Sequence, residues 1–87
     1  MTTVTLSERQ QAALLALLDL GARAGGHALA AQMRSNGRDT STSAAHQAAN
    51  GLDNKRLARK LCAKGAPVRY ELTAVGRELA LLIRGAR

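Results

Sequence analysis

Six cations, Lys55, Arg56, Arg59, Lys60, Lys64 and Arg69, fall within a short stretch that contains no acid. Positive charge at that density suits phosphate oxygens. Each phosphate neutralised releases condensed counterions, which supplies affinity without sequence information and makes binding fall with salt at a log–log slope of about −0.9 per phosphate. Just upstream, Thr42, Ser43, His46, Gln47 and Asn50 bring hydroxyl, imidazole and amide groups together at helical spacing. Gln and Asn can pair bidentately with adenine, and hydroxyls and backbone N–H groups at a helix start can hold phosphate. The plain alternatives are a solvated basic surface for the first set and an ordinary polar helix face for the second.

Other chemistries find too few partners. His27 and His46 are far apart, with no cysteine or carboxylate at ligand spacing, so no metal site is expected. Cys62 is the single cysteine, which excludes an internal disulfide; it reads as a small strand residue, with an oxidation switch beside Lys60 and Lys64 as the alternative. The Ser and Thr residues gather at 40–43, His46 is the one base nearby, and no carboxylate has an orienting role. No nucleophile, base and orienter can be assembled, so no catalytic residue, enzyme activity or cofactor is expected. The glycines at 21, 25 and 26 resemble a phosphate loop superficially, but they join two helices and lack the Lys-Ser/Thr ending.

Composition points the same way. A chain of 87 residues has room for one small core and is read as a single domain over 1–87. Its formal net charge of +7 favours a polyanion, either nucleic acid or an acidic membrane. Tyr70 is the one aromatic, so base stacking on aromatic platforms, as single-strand binders use, loses support. A membrane-surface role also lacks the bulky apolar residues it needs beside the basic ones. No apolar run approaches the ~20 residues of a membrane span, and MTTVTLSERQ lacks the basic and apolar segments of a secretion signal. A soluble cytoplasmic protein in a reducing compartment is the expectation.

The periodicities give the elements that would carry these groups. Ser7 caps a first helix over about 7–20, with Leu14, Leu17 and Leu18 on one side and glycines ending it. A short second helix covers about 27–35, apolar at Leu29, Ala30 and Met33. After a turn rich in hydroxyls, a third helix spans about 42–55, with Ala45, Ala48, Ala49 and Leu52 inward. Gly51 weakens it by about 1 kcal/mol relative to Ala, so it depends on tertiary packing. A hairpin follows over about 57–72, turning at Lys64-Gly65-Ala66-Pro67 and returning with Val68, Tyr70 and Leu72 inward. Thr73 caps a last helix over about 73–85 with Val75, Leu79, Leu82 and Ile83 in register. The class is α+β, mostly α, in the order helix-helix-helix-strand-strand-helix.

The stretch LDNKRLARKLCAKGAPVRYELTAVGREL resembles the recognition-helix end, wing and last helix of winged helix-turn-helix regulators of the MarR/PadR type. TLSERQQAALLALL and HALAAQM are similar to that family's first two helices. By this resemblance Leu52 and Leu57 are core leucines, Tyr70 to Thr73 the second wing strand and cap, and Gly76 the helix glycine. Two departures stand out: Arg56 where the family usually has Gly, and a longer turn between Met33 and Ser43. The resemblance implies double-stranded DNA as partner, the third helix in the major groove, and the wing at 60–68 along the backbone or in the minor groove. A transcriptional regulator, a repressor for instance, would often be a two-fold dimer. Leu79, Leu81, Leu82 and Ile83 could supply that interface or pack on the first helix. An excisionase or architectural DNA binder of a mobile element, or a winged protein-interaction module, are the other readings.

Overall fold

A computed structural model describes residues 6–85; both ends of the expected 1–87 domain lie outside them. Helix α1 (Glu8–Asp19) opens with a capping box: the Ser7 hydroxyl accepts the Gln10 N–H and Gln10 Oε1 accepts the Ser7 N–H, each at 3.1 Å. Ala13 to Leu17 are all buried, and Leu14 and Leu17 are fully enclosed. Gly21, at φ +82°, ends the helix: its N–H reaches Leu18 O, and the Ala22 N–H reaches Leu17 O.

The chain then forms strand β1 (Arg23–Gly25), which periodicity does not announce. Three residues of Arg, Ala and Gly carry neither alternation nor β-branching, and the strand exists because β3 offers its edge. Helix α2 (Gly26–Ser35) follows, and Gly37, at φ +93°, closes it as Gly21 closes α1. Helix α3 (Thr42–Asn54) starts at Ser41, whose hydroxyl accepts the Ala44 N–H at 3.1 Å. The intervening loop is held by Asn36 Nδ2 donating to Asp19 Oδ2 and by Arg38 Nη1 donating to Glu8 Oε2.

Strands β2 (Ala58–Leu61) and β3 (Arg69–Leu72) form the hairpin, and helix α4 (Ala74–Gly85) completes the fold. The sheet is antiparallel in the order β1-β3-β2, so the returning strand is central. The fold is α+β and mostly helical, and the expected two-stranded hairpin gains a third strand. Cys62, expected within a strand, lies exposed just past β2.

One core joins these elements, centred on Leu14, Leu17, Leu29, Met33, Leu52, Leu57 and Tyr70. The small residues Ala45, Ala48 and Ala49 let α3 lie close to its neighbours. Among the helices, α4 contributes least: it buries Gly76 and Ala80 and packs Leu79 and Ile83 against the core, while Val75, Leu81 and Leu82 stay exposed. No helix among the described residues is long and apolar enough to cross a membrane.

The joint between hairpin and α4 is tight. The Thr73 N–H donates to Leu57 O at 3.1 Å, its hydroxyl donates to Arg56 O at 2.8 Å, and Thr73 Oγ1 accepts the Gly76 N–H at 3.0 Å. A Cβ at position 76 would lie 1.8 Å from Leu57 O. Thr73 caps α4 and ties it to the hairpin's root, and Gly76 is the residue that lets the two backbones meet.

Candidate nucleic-acid interface

Helix α3 turns its alanines and Leu52 inward, so its outward face carries Ser43, Gln47 and Asn54, all exposed. Asn54 joins the two residues of this face expected from the sequence. The signal was available: it falls seven residues after Gln47, two helical turns along the same face.

Thr42, His46 and Asn50 are engaged within the protein. The Tyr70 hydroxyl donates to Asn50 Oδ1 at 3.2 Å and lies 2.9 Å from His46 Nδ1, which, as the N–H tautomer, donates to it. The two rings are tilted at 58° with centroids 5.6 Å apart. Tyr70 is 1% exposed, and that burial pushes its phenol above the ordinary value, with the charges of Cys62 and Asp53 adding to the effect. The His46 ring lies over Gly26, where a Cβ would sit 2.1 Å from Nε2. Thr42 Oγ1 is 3.4 Å from His27 Nδ1, linking the starts of α3 and α2. Of the five residues expected to meet bases, Ser43 and Gln47 are exposed, while Thr42, His46 and Asn50 are half-buried.

The six cations do not form one stripe. Lys55 Nζ donates to Gln10 Oε1 at 3.1 Å, toward α1. The Gln10 side chain crosses α3 over Gly51, where a Cβ would lie 2.3 Å from Gln10 Nε2. Gly51 leaves room for this crossing, and a side chain there would push the flexible end of Gln10 aside. Arg56 takes φ +61° just after α3: its N–H reaches Asp53 O at 3.0 Å and the Leu57 N–H reaches Leu52 O at 2.9 Å. This is the helix-ending geometry that glycine adopts after α1 and α2, here built with an exposed arginine.

Pairing register divides the rest. Lys60 stands opposite Tyr70, on the sheet face that meets α3, and its N–H donates to Asp53 Oδ1 at 3.2 Å. Arg59 stands opposite Glu71, and Arg69 opposite Leu61, on the other face. Lys64 is exposed in the loop between the strands. Folding also brings an acid to this stretch: Glu71 pairs with Arg23 across β1 and β3, with Arg23 Nε donating to Oε2 at 3.0 Å. The hydrogen bond from Arg23 and its charge hold the Glu71 carboxyl below its usual value, with a smaller contribution from Arg59.

Among the described residues no group of three or more His, Cys, Asp or Glu could hold a metal ion. A cavity of about 510 Å³ lies between α1, the turn after α2 and Arg84, bounded by the Arg38–Glu8 and Arg84–Asp19 ion pairs.

No family model and no curated protein matches the chain. Among solved structures it is similar to F93 from STIV, described as a winged-helix DNA-binding protein, with a TM-score of 0.76 and 15% identity over 95% of this chain and 90% of that one. It is also similar to SSV1 F-93, with a TM-score of 0.68 and 20% identity over 98% of this chain and 89% of that one. Identities this low carry backbone architecture and not side-chain roles. The architecture is that of a winged helix.

Proposed function

We propose that the chain is a sequence-specific double-stranded DNA-binding protein that regulates transcription in the cytoplasm, as the MarR/PadR resemblance implies. The observation that carries this reading is the outward face of α3, where Ser43, Gln47 and Asn54 form an uncharged polar row in a protein of net charge +7. A row of that kind suits base edges better than phosphates. At 13 residues α3 is about 20 Å long, enough to lie in the major groove across several base pairs. Lys64 at the wing tip, with Lys60 behind it, would meet the backbone or the minor groove. Lys55 and Arg56 supply further phosphate contacts beside α3, Arg59 and Arg69 contact phosphates from the outer face of the sheet, and Thr42, His46 and Asn50 set the pose of α3.

Winged-helix regulators often act as two-fold dimers, and the apolar outer side of α4 gives this chain a surface for one. The likeness to F93 from STIV, whose description names DNA binding, supports the same reading.

Selection of bound fragments from random duplexes at physiological salt tests it. The expected result is an enriched motif with two-fold symmetry. Cooperative binding to repeated sites would replace regulation with an architectural role, and no enrichment with tight binding to a protein would replace DNA with a protein partner.

A further inference from the structure

The sheet has a second face, and it is basic. Register sets Arg23, Glu71 and Arg59 in one row across β1, β3 and β2, and Gly25, Arg69 and Leu61 in the next. Ala24, Tyr70, Ala58 and Leu72 occupy the opposite face and close on the helices. Three exposed arginines therefore stand on the solvent side, with one carboxylate among them. Arg23 belongs to the strand that periodicity does not announce, and folding adds it to the cations of the wing.

Two hollows, of about 430 and 420 Å³, flank this row. One opens along the wing at Lys60 to Ala63, the other between β1 and the first turn of α2; Arg23, Pro67 and Arg69 line both. Glu71 engages Nε and Nη2 of Arg23, which fixes the guanidinium plane and leaves Nη1 for another acceptor. Planar guanidinium groups on an exposed basic face suit phosphodiester oxygens.

We propose that this outer face is a second phosphate-binding surface, in which Arg23, Arg59 and Arg69 hold the sugar–phosphate backbone of duplex DNA beyond the stretch that α3 reads. The surface faces away from α3, on the far side of Tyr70, so the phosphates it meets lie past the wing. It is continuous with the wing, whose tip carries Lys64, and this continuity makes the same duplex its occupant. The inference rests on the DNA-binding reading above.

The test compares a duplex that ends at the selected motif with one extended by about one helical turn on each side. Arg23→Gln and Arg69→Gln should each weaken binding to the longer duplex several-fold and reduce its salt slope by about one, with a much smaller effect on the shorter one. Glu71→Gln should strengthen binding to the longer duplex. Arg77→Gln and Glu78→Gln on exposed positions of α4 make the same changes in net charge elsewhere and should leave the length dependence unchanged. None of these should alter the enriched motif. Circular dichroism melts confirm that each variant is folded.

Equal effects on both duplexes, or outer-face variants that behave like the α4 controls, would overturn the second surface while the wild-type motif preference still stood. A wild-type chain that binds neither duplex would overturn the DNA-binding reading itself.

Discussion

The Tyr70 hydroxyl, carried on the central strand of the sheet, donates to Asn50 Oδ1 at 3.2 Å and so ties the wing to α3. With His46 Nδ1 at 2.9 Å, it sets the angle between the helix proposed to read bases and the hairpin proposed to grip phosphates. Tyr70→Phe keeps the ring packing and removes this tie, leaving two part-buried polar groups short of a partner. The expected cost is about 1–2 kcal/mol of stability in urea unfolding. Preference for the selected motif over random duplex should fall more than affinity for random duplex does.

The same residue predicts an alkaline limit. Burial raises the Tyr70 pKa above the ordinary tyrosine value, so its neutral form is favoured in the folded state. Above the unfolded value the unfolded chain binds fewer protons than the folded one. Stability from this group is therefore complete below about pH 10 and is lost as pH rises through the folded value. Urea unfolding followed from pH 8 to 11 should show a decline in wild type that is shallower in Tyr70→Phe. Parallel curves would show that Tyr70 does not carry it.

How far the sequence speaks for the fold follows from the range of the interactions. The Leu14, Leu17, Leu18 spacing, the alternation of Val68, Tyr70 and Leu72, and the Thr73 cap are local, and the elements they imply are present. β1 is not local: Arg23 to Gly25 become a strand through partners almost fifty residues away, at Arg69 to Glu71. The contact of His46 and Asn50 with Tyr70 is also long-range, because helical spacing reveals which residues share a face but not that a tyrosine from the wing reaches that face. For the cations, spacing in the chain conceals a division that only strand register makes, with Lys60 on one face and Arg59 and Arg69 on the other.

Arg56 separates a stability role from a binding role. Its φ of +61° disfavours an L side chain by about 1 kcal/mol, and the residues ending α1 and α2 in this geometry are glycines. Arg56→Gly should raise stability by about that amount in thermal melts. It should also weaken duplex binding and reduce the salt slope by about one. Higher stability with unchanged DNA binding would remove Arg56 from the phosphate contacts.

Helix α4 predicts self-association. Val75, Leu81 and Leu82 are 61%, 52% and 71% exposed, a high apolar exposure for a helix in so small a domain. Two-fold pairing buries each of these residues twice, and a buried leucine contributes about 1.5–3 kcal/mol. Leu82→Ser should therefore weaken the dimer by about 3 kcal/mol, roughly 100-fold, in sedimentation equilibrium, with the monomer's circular dichroism spectrum unchanged. A wild-type chain that sediments as a monomer while binding a palindromic motif would assign pairing to the DNA.

Gly76 offers the most local test of how the wing is seated. A Cβ at this position would lie 1.8 Å from Leu57 O and 2.7 Å from Leu57 C, both backbone atoms, so no side-chain rotation relieves the clash. Gly76→Ala must push α4 away from the root of β2 and stretch the Thr73 bonds to Arg56 O and Leu57 O. The expected loss is about 1–3 kcal/mol, outweighing the better helix propensity of Ala, which is worth about 1 kcal/mol. Thermal melting checks the sign: a stabilised variant would mean that α4 and the hairpin do not meet this closely. A destabilised variant that retains motif preference, at a temperature where it is still folded, would place the wing's seating outside the determinants of sequence choice.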